Sequence, residues 1–121
     1  MENMDLKVVW TNIDQTPEPR SFIQFLDAFN ATEWLQAHKQ RTLALLNVRE
    51  GVHVLDIGCG TGVDVRRLAQ HVGQTGKVVG IDPSITMITE ARTRSAELSL
   101  PVEFHHREIG SGLAVTHGEE R

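Results

Sequence analysis

Val54-Leu55-Asp56-Ile57-Gly58-Cys59-Gly60-Thr61-Gly62 is the stretch on which the reading of this chain turns. An apolar run ends in an acid and then passes through three closely spaced glycines. Such a run reads as a buried parallel strand, followed by a turn whose backbone bends sharply or meets a ligand closely. A helical pattern opens behind it. Thr61 with Asp64 fits a capping box, and Val65, Leu68, Ala69 and Val72 fall on one helical face. The unit is strand, glycine turn and helix, of the nucleotide-binding kind.

Toward the C-terminus the alternation continues. Gly73 and Gly76 stop the helix, residues 77–81 form a second apolar strand ending in Asp82, and Pro83 fits the first position of the next helix. That helix carries Ile85, Ile88, Ala91 and Leu98 inward, with Glu90, Arg92 and Arg94 outside. Residues 101–105 alternate with period two and make a short third strand.

Toward the N-terminus two helices are expected. Phe22, Phe25, Leu26 and Phe29 lie at i, i+3, i+4 and i+7 and read as a core stripe. Thr32 is a candidate N-cap for a second helix over residues 33–46, with Leu35, Thr42, Leu45 and Leu46 on its inner face, Lys39 and Arg41 in solvent, and His38 on a packed or exposed helix surface rather than as a ligand. Ahead of these, Val8-Val9-Trp10 could dock on a core or a ligand, and Asn12, Asp14 and Gln15 read as solvated loop. The expected organisation is an N-terminal tail over residues 1–20, a domain over 21–109 and a frayed polar tail over 110–121. Strands alternating with helices argue for a parallel α/β sheet.

Composition narrows the class. At 121 residues the chain is one domain at most, and its formal net charge of −4 gives it no general affinity for phosphate backbones, so no nucleic-acid partner is expected. The single cysteine, Cys59, excludes an internal disulfide framework and a multi-cysteine zinc site. No apolar run approaches the roughly 18–20 residues of a membrane span, and no secretory signal is visible, so a cytoplasmic, membrane-free protein is expected.

In open α/β sheets ligands lie beyond the carboxyl ends of the strands. There the chain places Gly58, Gly60 and Gly62, then Asp82, then the residues after strand three. Asp82 stands about twenty residues beyond the last glycine, where a carboxylate accepts hydrogen bonds from ribose hydroxyls; it is also placed to cap the following helix. Asp56, at the end of a buried strand, needs partners, which turn N–H groups or a ligand ammonium could supply. Dinucleotides carry no ammonium, and their fingerprint wants glycine at the sixth position, which is Val63 here. Adjacent His105 and His106 point to opposite strand faces, so no metal site is read there, and Arg66-Arg67 reads as a solvated helix face.

At these residues the chain resembles a known family. The nine residues from Val54 to Gly62 look like motif I of class I S-adenosylmethionine-dependent methyltransferases, and Val78-Val79-Gly80-Ile81-Asp82-Pro83-Ser84 with Met87 and Ala91-Arg92 looks like the next block. The likeness covers about residues 43–106 and is nearest to small-molecule, quinone-biosynthesis-like methyltransferases. It implies a Rossmann-like three-layer fold, of which strands one to three are present, preceded by two helices. It implies S-adenosyl-L-methionine as cofactor, with Gly58, Cys59, Gly60 and Gly62 against its methionyl part and ribose. Asp56 would sit near the ammonium, Asp82 on the ribose, Ser84 and Met87 beside the adenosine, and Glu108 at the adenine amino group. Cys59 is a common spacer in this motif, not a nucleophile. The two N-terminal helices would cover the cofactor and form part of the acceptor pocket.

The family sheet has seven strands in the order 3-2-1-4-5-7-6, so strand one would lie with an open edge where strand four belongs. An open apolar edge invites association, through a homodimer or a complementing chain. The expected function is methyl transfer to a small-molecule acceptor by a truncated form that keeps the cofactor half-site. A non-catalytic nucleoside-binding or regulatory module is the alternative, and a nicotinamide-dependent oxidoreductase is disfavoured.

Overall fold

A computed structural model describes residues 12–108. Val8-Val9-Trp10 and the stretch from Gly110 onward lie outside the described residues. A 3-10 turn, Ile13–Gln15, comes first. It is followed by α1 (Ser21–Asn30), α2 (Glu33–Leu46), β1 (His53–Ile57), α3 (Val63–Val72), β2 (Lys77–Asp82), α4 (Ile85–Ser95) and β3 (Val102–His106).

The three strands form a parallel sheet in the order β1-β2-β3. Register places Val54, Val78 and Val102 in one row and Asp56, Gly80 and Phe104 in the next. Both rows share a face of the sheet, because side chains alternate along a strand. Helices α3 and α4 cover that face: Val65, Leu68, Ala69 and Val72 of α3 meet Ile88 and Ala91 of α4, together with Val78 and Phe104, in one buried cluster. The expected inward face of α3 is therefore the observed one. Two of the three layers are thus seen among the described residues. The other sheet face carries Leu55 and Ile57, which are 49% and 46% exposed. Among the described residues no strand pairs with the free edge of β1.

Several local expectations are corrected. Helix α3 is capped by Gly62 at φ +85° with no side-chain cap, so the Thr61–Asp64 capping box does not form. Thr61 is buried instead, and Asp64 pairs with Lys39 of α2 at 3.0 Å. Helix α4 starts after Ser84, whose hydroxyl accepts the Met87 N–H, so Pro83 precedes the cap. Its buried positions are Met87, Ile88, Ala91 and Ser95, while Ile85 and Leu98 are exposed.

Thr32 does cap α2, accepting the N–H of Leu35. The side that α2 turns inward carries Leu35, Lys39 and Leu43, while Leu45 and Leu46 are exposed. On α1 the buried residue is Ile23, flanked by Phe22 and Leu26; Phe25 and Phe29 stack on one another in an exposed pair. Arg66 is half-buried, donating to the Thr61 carbonyl at 2.8 Å and the Ser95 hydroxyl at 3.2 Å, so it is no solvated face.

The segment before α1 is not solvated loop. Ile13 is buried against Ile23 and Met87. Asp14 Oδ1 accepts the Ser84 hydroxyl at 2.7 Å, and Oδ2 accepts the Ile85 N–H at 2.7 Å. An acid distant in sequence thus supplements the cap of α4, where negative charge is favoured by the unsatisfied N–H groups.

Candidate cofactor-binding site

The glycine turn after β1 closes on itself. The N–H groups of Gly58 and Cys59 both donate to the Ile81 carbonyl, at 2.8 and 2.9 Å, and Gly62 donates to the Cys59 carbonyl at 3.0 Å. Gly60 donates to Asp82 Oδ2 at 2.9 Å. A turn that binds pyrophosphate presents these N–H groups to the ligand. Here they are spent inside the chain, which favours a ligand without phosphate at this place.

The backbone stays open where it matters. Gly58 has φ +78°, and a side-chain carbon built there would meet nothing within 4 Å. Gly62, with φ +85°, is closed: the same carbon would come within 2.8 Å of the Phe104 ring. Gly58 therefore leaves room for a ligand, while Gly62 lets α3 pack onto β3. Gly60 lies under Leu26 of α1, whose Cδ1 would sit 3.4 Å from such a carbon. Helix α1 thus stands over the turn. Its polar side is tied to α4 by Arg94, which reaches both oxygens of Asp27 at 2.9 Å and Glu90 at 2.8 Å.

Asp82 is 8% exposed. Its Oδ2 holds Gly60, and its Oδ1 accepts the Ser84 N–H at 2.9 Å. The carboxylate ties the two turns together, and each oxygen keeps a lone pair for a further donor. Ser84 is buried and bonded to Asp14 and Met87, and Met87 is only 1% exposed. Both thus serve the α4 cap and core, with little surface to offer in this conformation. Glu108 is exposed, just beyond β3.

Asp56 differs from Asp82. It is half-buried at the end of β1, and among the described residues no hydrogen bond reaches its carboxyl. Burial pushes its pKa up to about 6, reinforced by the charge of Asp64 and opposed by Lys39. The turn N–H groups that might have satisfied it point to Ile81 and Asp82 instead. Cys59 is buried beneath the turn, and burial followed by the charges of Asp82 and Asp56 pushes its thiol up to about 12, which leaves it inert as a nucleophile.

Beside Asp56 opens a cavity of about 350 Å³ between α2 and α3. Lys39, Asp64 and Arg67 reach it. Sequence patterning assigned Lys39 and Arg67 to solvent, and no fixed spacing links either to Asp56. On β3, His105 lies 3.1 Å from Glu103, and His106 Nε2 donates to the Pro83 carbonyl at 2.9 Å. No cluster of His, Cys, Asp and Glu that could hold a metal is present among the described residues. No helix among them is long and apolar enough to cross a membrane.

A family model described as a methyltransferase domain matches residues 48–118. The demethylmenaquinone methyltransferase of Oceanobacillus iheyensis is 39% identical over 77 residues, covering 61% of this chain and 32% of its own. Among solved structures, an S-adenosylmethionine-dependent O-methyltransferase from Thermotoga maritima superposes with a TM-score of 0.56 at 27% identity, covering 60% of this chain and 28% of its own. An RNA methyltransferase from Salinibacter ruber, in complex with S-adenosyl-L-homocysteine, superposes with a TM-score of 0.53 at 29% identity, covering 60% and 47%. The chain spans about a third or less of the length of the curated relatives it matches. It belongs to the class I S-adenosylmethionine-dependent methyltransferase family and carries the N-terminal portion of that fold.

Proposed function

We propose that this chain binds S-adenosyl-L-methionine at the Gly58 turn and serves methyl transfer to a small-molecule acceptor. The observation that carries the reading is Asp56: a half-buried carboxyl without an internal partner, beside a turn that is open above Gly58 and has its N–H groups already spent. An ammonium-bearing, phosphate-free nucleoside complements both features. Asp56 would take the ammonium, and the free lone pairs of Asp82 would take the ribose hydroxyls. Gly58, Cys59, Gly60 and Gly62 would form the floor beneath the methionyl part. For the adenosine, Glu108 is the acid after β3, while Ser84 and Met87, buried in the cap and core of α4, would support that side from behind.

When bound, the sulfonium supplies an electrophilic methyl group with a neutral thioether as leaving group. This chain's residues then need only orient that group and exclude water. Helix α1, standing over Gly60, serves the second purpose.

A small acceptor is favoured by the net charge of −4, which gives the chain no general affinity for an RNA backbone. The edge of β1 away from β2 is where a continuing sheet or a second chain would pair and bring the acceptor side. Calorimetric titration of the folded chain with S-adenosylhomocysteine tests the reading. Saturable binding that is lost in Asp56→Ala supports it. A folded chain that binds neither this nucleoside nor the methyl donor overturns it.

A further inference from the structure

Helices α1 and α3 are both ten residues long, yet they are held in opposite ways. Helix α3 buries Val65, Leu68, Ala69 and Val72 in the main core, whereas α1 buries Ile23 alone. Ile23 belongs to a separate small cluster with Ile13 and Met87, while Phe25 and Phe29 face outward. A helix this short is marginal by itself in water and depends on what holds it to the domain. One buried isoleucine is a small part of that.

Charge supplies the rest. Arg94 of α4 donates to both oxygens of Asp27 on α1, each at 2.9 Å, and to Glu90 at 2.8 Å. Glu90 also accepts from Arg20, at the N-cap of α1, at 3.0 Å. Glu90 and Arg94 are one turn apart and share a face of α4. The four side chains thus form one connected network, whose two-point Arg94–Asp27 pair is the strong form of such contacts. Hydrogen bonds from Arg94, joined at Glu90 by one from Arg20, hold both carboxyls below their ordinary pKa. The network is nonetheless open to solvent: the side chains of Asp27 and Arg20 are 44% and 67% exposed. Ion pairs so placed weaken as salt screens them.

We propose that Arg20, Asp27, Glu90 and Arg94 form a latch that holds α1 over the glycine turn, and that its release sets the rate at which the nucleoside enters and leaves. The inference rests on the reading of the Gly58 turn as the nucleoside site. Leu26 of α1 lies over Gly60, two residues along the turn from the open space above Gly58. A nucleoside lying along that turn passes beneath α1. Lifting α1 breaks the network and uncovers Ile23 but leaves the main core of α3, α4 and the sheet intact. None of the four charged residues belongs to the nucleoside site itself. Weakening the latch therefore favours the lifted helix in the free and the occupied protein alike, so entry and exit accelerate together while affinity stays.

The test measures association and dissociation rates of S-adenosylhomocysteine by stopped flow, with hydrogen exchange of the α1 amides alongside. Raising sodium chloride from about 0.05 M to about 0.5 M should speed both rates about threefold or more in the unmutated chain. At low salt Asp27→Asn and Arg94→Met should raise both rates about three- to tenfold, with affinity within about twofold. Exchange of the α1 amides should quicken by a similar factor, while that of the β2 amides stays as it was. Rates indifferent to salt in the unmutated chain overturn the latch, whether or not the variants fold, and leave the nucleoside site standing. Folded variants with unchanged rates or unchanged α1 exchange overturn it too. So does a loss of affinity at constant association rate, because the charges would then hold the ligand and not the helix. A folded chain that binds no S-adenosylhomocysteine overturns the nucleoside site and this inference with it.

Discussion

Asp82 Oδ2 accepts the Gly60 N–H at 2.9 Å, while its other oxygen accepts the Ser84 N–H at the same distance. One buried carboxylate thereby fixes the glycine turn after β1 to the turn after β2. Asp82→Ala strands both N–H groups, so it is expected to destabilise the fold by about 1–3 kcal/mol. It should also weaken S-adenosylhomocysteine binding by more than tenfold under conditions where circular dichroism shows the variant folded. Urea denaturation and calorimetry read the two effects separately. Unchanged binding by the folded variant removes Asp82 from the site.

The two outer glycines of the turn separate ligand space from packing. Gly62→Ala puts a methyl within 2.8 Å of the buried Phe104 ring on backbone at φ +85°, so strain and overpacking act together. A loss of about 2–4 kcal/mol is expected for Gly62→Ala, from left-handed strain and overpacking of a close-packed site. Gly58→Ala carries the left-handed strain alone, about 1–2 kcal/mol, because the space above it is open. Gly58→Ala is therefore expected to be the better folded of the two, yet to lose S-adenosylhomocysteine binding, because it fills the space proposed for the nucleoside. Thermal melts and titration of both variants check the reversal of rank.

Asp14 joins residues seventy positions apart, from its own 3-10 turn to Ser84 at the start of α4. Partial burial raises its pKa, but the hydrogen bonds from Ser84, Thr86 and Ile85 outweigh that, and the net shift is downward. A carboxyl with a lowered folded pKa adds stability above its unfolded pKa, near 4, and loses it as pH falls through the folded value. Asp14→Ala should cost about 0.5–2 kcal/mol at pH 7, the range for a lost helix cap. The difference from the unmutated chain should shrink toward zero as denaturation curves are taken from pH 5 to pH 2.5. A difference independent of pH would count against the capping role.

Much of this structure was legible in the sequence, and the rest was hidden for a physical reason. The three strands, the glycine turn and the buried face of α3 follow from local period, because β1, β2 and α3 are packed by their immediate neighbours in the chain. The N-terminal part is packed by residues far away. The stripe Phe22, Phe25, Leu26 and Phe29 has the right spacing, yet the helix is turned so that Ile23 meets Met87 and Ile13 while Phe25 and Phe29 face outward. Leu45 and Leu46 likewise lie outward because α2 turns Leu35, Lys39 and Leu43 to the domain. Spacing tells which residues share a face, not which way the face turns. At the candidate site, Asp56, Asp82 and the glycines were visible from their motif, whereas Asp14 and Lys39 act through contacts with no fixed spacing.

Asp56 joins stability and binding with opposite signs. Its burial, with Asp64 adding like charge, raises its folded pKa to about 6, above the unfolded value near 4. The raised pKa means the folded chain holds the proton more tightly than the unfolded one. Stability is therefore greatest below about pH 4 as far as this group is concerned, falls as pH rises toward 6, and stays reduced above that. Discounted for the partial exposure of the group, the loss is about 1–2 kcal/mol. Asp56→Asn removes the ionisation, so it should stabilise the unliganded chain by about that amount at pH 8 and leave it unchanged at pH 4. Binding moves the other way. The ligand ammonium needs the carboxylate, so S-adenosylhomocysteine affinity should drop as pH falls through about 6, approaching tenfold per pH unit below it. In Asp56→Asn that dependence should vanish along with more than tenfold of the affinity at pH 8. Denaturation and titration of the two proteins between pH 4 and pH 8 measure both trends. An Asn variant that is less stable at pH 8, or that keeps the pH dependence of binding, would show that the carboxyl has a partner and no ligand to meet.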